Sequence, residues 1–186
     1  MRGGQRPMRR QQRDSSDKDQ VGAHIQTRIR ASQPDSWKLV DAINAHRRPQ
    51  GLPEIPLSPR LTAVAYWHAK DLAEKRPHQP HGSLHSWSQD PRWRGGVYRA
   101  DDKTTWPIMW EKPKEIAGYD GLGFEICAAD ARDWEHAFEL WKQSEAHHGV
   151  ILNRGVWTDP QWRWRALGAV FYKGYACAWF GNAADT

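Results

Sequence analysis

Residues 141–152 read WKQSEAHHGVIL, from Trp141 to Leu152, and the reading of the whole chain turns on this stretch. Just upstream, Trp134, Ala137, Phe138 and Trp141 fall at i, i+3, i+4 and i+7. That spacing is the apolar stripe of an amphipathic helix ending near Ser144. Two further polar segments precede it. Gly123-Phe124-Glu125-Ile126 lies within a short strand expected over 121–128, and His85-Ser86 lies in a long stretch rich in proline, glycine and tryptophan.

Working outward, Pro34-Asp35-Ser36 caps a helix whose apolar residues Trp37, Val40 and Ile43, with Leu39 alongside, recur at helical spacing. Pro49 and Gly51 stop it, and a loop through Pro53 and Pro56 leads to Ser58-Pro59, an N-cap followed by proline at the first helical position. Leu61, Val64, Ala65, His68 and Leu72 then trace one face of a second helix until Pro77. Residues 76–118, with Trp87, Trp93, Trp106 and Trp110, read as an ordered loop with one short helix near 111–117. At the end, Leu167–Tyr172 and Tyr175–Trp179 flank Lys173-Gly174 as a hairpin with a two-residue turn. No internal repeat is visible.

Taken in this order, the two opening helices, His85-Ser86, Gly-Phe-Glu-Ile, Trp-x-x-Ser-x-x-His-x-x-x-Ile-Leu and the closing strands up to Phe180-Gly181 resemble the CAP superfamily over about residues 36–181. That superfamily groups cysteine-rich secretory proteins, antigen 5 and plant pathogenesis-related class 1 proteins, and the form here is similar to bacterial SCP domains. The resemblance implies an α+β fold, a three-layer α–β–α sandwich around a small antiparallel sheet, over 34–186, after a basic tail at 1–33. It also implies one cavity holding His85, Glu125 and His147, and the nearby Trp87, Trp93 and Trp110 are expected to form its rim. Ser144 stands where many family members carry a second glutamate, with Glu145 beside it as a substitute. The name-giving cysteines of the family are absent. Secretion and roles in defence or lipid export are what the resemblance implies about use.

Charge narrows the partners. The formal net charge is +5, yet residues 1–30 hold Arg2, Arg6, Arg9, Arg10, Arg13, Lys18, Arg28 and Arg30 against Asp14, Asp17 and Asp19. The remainder is formally neutral, so general basicity gives the folded body no claim on nucleic acid. The tail has almost no apolar residues. It reads as a solvated extension, or as an arm for an acidic protein assembly or nucleic acid. It has no apolar run of a secretory signal, and no segment approaches the ~20 apolar residues of a membrane helix. The compartment stays open. Cys127 and Cys177 either pair, if their segments are sheet neighbours, or remain reduced and buried.

Two imidazoles and a carboxylate at His85, Glu125 and His147 suit a divalent ion such as zinc, with waters completing the shell. The same residues also suit a cavity for a small hydrophobic ligand or peptide, or a polar cluster whose members satisfy one another. His78 and His81 extend a His-x-x-His-x-x-x-His spacing to His85 but lie in a proline-rich loop. His68, on the apolar face of its helix, reads as a satisfied core histidine, and His148 as facing solvent or the following loop. No Gly-x-Ser-x-Gly elbow or His-Glu-x-x-His pattern is present, so the chain leans away from an enzyme. Three readings stand: a binding module, an accessory subunit docked through the Arg-rich arm, and a metal-assisted hydrolase.

Overall fold

The computed structural model describes residues 36–185. The basic tail, its expected partners and the Pro34-Asp35 cap lie outside the described residues. Helix α1 (Ser36–Arg47) buries Leu39, Val40 and Ile43. Trp37, expected on that face, is 51% exposed. It stands two positions before Leu39, more than half a helical turn round, and so falls off the stripe. Arg47 at the other end is buried, and its guanidinium donates to the carbonyls of Pro53 (3.1 Å) and Ile151 (2.6 Å) and to Asn153 Oδ1 (2.8 Å).

Helix α2 (Pro59–Lys75) starts as its sequence dictates: Ser58 is extended, and its hydroxyl accepts from the Leu61 N–H at 2.9 Å. Leu61, Val64, Ala65, His68 and Leu72 are all buried. Arg76, in the left-handed region at φ 53°, ends the helix just before Pro77.

Three antiparallel strands, β1 (Gly123–Ala128), β2 (Ala166–Tyr172) and β3 (Tyr175–Gly181), form one sheet in the order β1-β3-β2. The β2–β3 turn is Lys173 (φ 46°) and Gly174 (φ 86°), two successive positive values that match the twist of the flanking strands. Strand alternation then sorts the core into two halves. Ile126, Ala128, Leu167, Ala169, Ala178 and Phe180 face α1 and helix α5 (Trp134–Gln143). Cys127, Val170, Cys177 and Trp179 face α2. The layers are therefore α2, sheet, and α1 with α5, the expected α–β–α sandwich. Gly168 lets the first two meet: a Cβ there would lie 2.1 Å from the Thr62 backbone nitrogen.

The 76–118 segment contains α3 (Pro107–Trp110) and α4 (Lys112–Ala117) and is pinned by specific bonds. Asp71 on α2 accepts from the Ser88 N–H at 2.9 Å and from its hydroxyl, Trp87 pairs with Gly96, and the buried Lys112 ammonium donates to the Arg94 carbonyl at 2.7 Å. These bonds let a long irregular segment keep one conformation. Among the described residues no helix is long and apolar enough to cross a membrane.

Candidate functional site: a histidine-floored cleft beside a buried charge pair

Glu125 and Cys127 are two apart on β1 and therefore share the face toward α2. Glu125 is fully buried, and its two oxygens go to different histidines. Oε1 pairs with Nδ1 of His68 on α2, and Oε2 accepts from Nδ1 of His85 at 2.9 Å. The other nitrogen of His68 donates to the Ser86 carbonyl at 3.1 Å, and its ring stacks on Trp87 at 4.0 Å with only 7° between planes. Burial alone would lower the His68 pKa, but the carboxylate of Glu125, joined by Cys177, outweighs it and raises it, so His68 donates from both nitrogens as an imidazolium. Burial pushes Glu125 up, and His68 with His85 more than reverses this, holding it below the usual carboxylate range.

His85 is 18% exposed at its side chain and carries this network to the surface. It opens into a cleft of about 830 Å³ that also receives Glu125 and His147. His147 stands on helix α6 (Glu145–Ile151), which follows α5 after a single residue. That residue is Ser144, whose hydroxyl caps α6 by accepting from the His147 N–H. Ser144 thus serves the helix end and is not part of the cleft wall, whereas Glu145 is exposed at the cleft mouth. Burial, with a smaller contribution from His85, lowers the His147 pKa, leaving its imidazole neutral at neutral pH. Among the described residues no side-chain hydrogen bond takes up its ring nitrogens.

The rim differs from the expected one. Trp87 and Trp93 are 2% and 4% exposed and belong to the α2-side core, because the loop that carries them folds inward under Asp71 and Lys112. Trp110 packs behind Phe124 and beside Trp162, at 5.3 and 5.7 Å between ring centroids. The aromatic walls are Tyr98, Phe124 and Trp157, with the 76% exposed Val156. Phe124 was legible as the neighbour of Glu125 on an edge strand; nothing in the local sequence marks Tyr98 or Trp157. His148 also reaches the cleft, and its Nε2 lies 2.8 Å from Nε2 of His46 on α1. Burial lowers both pKa values, so the two rings meet as neutral tautomers with one donating to the other.

Among the described residues, a tight gathering of metal-type ligands lies deeper: His68, Glu125, Cys127 and Cys177, whose ligand atoms all lie within 4.8 Å of one another. The cysteines face each other across β1 and β3 as free thiols with sulfurs 3.4 Å apart. Sequence spacing concealed this set, because its members come from three elements and His68 lies among apolar residues.

The family model described as Cysteine-rich secretory protein family, CAP, matches residues 40–158. Among solved structures, an extracellular protein containing an SCP domain from Bacillus anthracis str. Ames is similar with a TM-score of 0.54 and 22% identity, covering 80% of this chain and 40% of that one. A cysteine-rich secretory protein from Staphylococcus aureus subsp. aureus Mu50 is similar with a TM-score of 0.53 and 12% identity, covering 81% of this chain and 39% of that one. The chain thus spans about two fifths of the length of either protein. No curated protein matches it.

Proposed function

The chain belongs to the Cysteine-rich secretory protein family, and from that premise we propose that it is a non-enzymatic binding module whose cleft takes a small amphipathic ligand, lipid-like along its body and polar at one end. The observation that carries this reading is the pairing of apolar walls with an unengaged imidazole. Phe124, Val156 and Trp157 offer an apolar surface, and His147 presents a neutral ring that can both donate and accept. A volume of about 830 Å³ lies within the range of small-molecule sites, which are mostly apolar with a few placed polar groups. Glu125 has both oxygens committed to His68 and His85, which disfavours it as a base for activating water in the cleft.

Equilibrium binding of a fluorescent long-chain fatty acid to the full chain tests the reading. Saturable binding is expected. His147→Ala should weaken it about tenfold, equivalent to about 1.4 kcal/mol, with an unchanged unfolding midpoint. Binding that is not saturable, or that ignores both His147→Ala and Trp157→Ala, would sink the proposal. Competition by an apolar peptide but by no lipid would assign the cleft to peptides instead.

A further inference from the structure

We propose that His68, Glu125, Cys127 and Cys177 form a structural centre for a zinc-type divalent ion, buried between α2 and the sheet behind the cleft floor. Cys127 and Cys177 are direct cross-strand partners, Glu125 lies two residues before Cys127 on the same face, and His68 descends onto them from α2. Four ligand atoms, two sulfur, one nitrogen and one oxygen, thus converge within 4.8 Å of one another in a fully enclosed site. That set of soft and borderline ligands is suited to a tetrahedral ion such as zinc.

The surroundings have the form that metal ligands require. His68 Nε2 is anchored on the Ser86 carbonyl, which leaves Nδ1 directed at the other ligands, and Trp87 fixes the plane of the ring. The Glu125 oxygen not needed by an ion is held by His85. The sulfurs, at 3.4 Å, are too far apart to be bonded and close enough to share one ion.

Loading the site is a proton exchange. A divalent ion is held by a neutral imidazole, a carboxylate and thiolates, so the protons carried by His68, Cys127 and Cys177 leave as it enters. With a neutral imidazole, one carboxylate and two thiolates around a divalent ion, the loaded centre carries a net charge of −1, and no oxidant or reductant takes part. Binding is therefore expected to strengthen with rising pH. An ion here would tie both strands to α2 and fix Glu125, and through it His85 at the cleft floor.

The test is a titration of the full chain with Co²⁺, refolded in its presence under reducing conditions so that burial does not block entry. The expected result is one Co²⁺ per chain, with the strong visible bands of tetrahedral coordination and a thiolate charge-transfer band, and displacement by zinc. His147→Ala, which alters only the cleft, should leave these bands intact. Cys177→Ser should weaken the thiolate band by about half, and His68→Gln should alter the visible bands. The proposal is overturned if folded wild-type chain takes up no Co²⁺ while both thiols remain free. It is equally overturned if the thiols are joined in a disulfide, or if His147→Ala removes the bands. The decisive readout is made on wild type, so it stands even where a variant does not fold. Loss of fatty-acid binding with the Co²⁺ spectrum retained would reject the cleft reading alone.

Discussion

Glu125 has a narrow set of tolerable replacements. An uncharged side chain there would leave His68 buried with no counter-charge, and breaking a buried pair from one side costs about 3–5 kcal/mol. Glu125→Ala is therefore expected to destabilise the chain by about that much, read as a drop in the urea midpoint. A loss under about 1 kcal/mol would mean that the pair is not ionised. This residue was legible as a site candidate, and its second partner was not. His68 sits in a stripe with Leu61, Val64, Ala65 and Leu72, where helical periodicity registers burial and says nothing about a carboxylate 57 positions away. For the same reason Trp87 and Trp93 read as rim: they are large aromatics beside a cavity histidine, and only the inward bonds of Asp71 and Lys112 reveal them as core.

At the scale of elements, local signals were enough where each element carries its own punctuation. Ser58-Pro59 starts α2, Lys173-Gly174 turns β2 into β3, and the Trp134–Trp141 stripe lies in α5. The break at Ser144 and the short α6 were harder, since seven residues are too few to show a period. Contact between elements also constrains composition. Gly168 in β2 lies against α2, where a Cβ would come within 2.2 Å of the Leu61 carbonyl carbon and 2.1 Å of the Thr62 nitrogen, both backbone atoms. Gly168→Ala is expected to force α2 off the sheet at about 3 kcal/mol, the upper end of overpacking costs. A urea midpoint equal to wild type would show that α2 shifts without penalty.

For the whole molecule, the sandwich was legible because two helices, a strand, a helix and a hairpin in that order leave few ways to cover both faces of a small sheet. The charged pair inside it sets how stability responds to pH in the metal-free chain. His68 is raised from 6.5 to about 10, so its contribution is full below pH 6.5 and is lost as pH rises toward about 10. Glu125 is lowered from 4.5, so its contribution holds above pH 4.5 and is lost as pH falls through its folded value. His46, His147 and His148 are lowered from 6.5, so each favours the folded state above pH 6.5 and charging them opposes it below. The melting temperature is expected to peak near pH 6.5 and fall on both sides. A continuous rise toward about pH 10 would contradict an ionised His68.

The meeting of His46 and His148 supplies a built-in reporter. Their nitrogens share one hydrogen across 2.8 Å, so one ring donates from Nε2 and the other accepts there. In a nitrogen-labelled sample such a proton gives a resolved imidazole resonance far from the backbone signals. Since His148 also borders the cleft, that resonance should move when the cleft fills and vanish when acid charges both rings. Occupancy can then be followed without attaching a dye or identifying the occupant in advance.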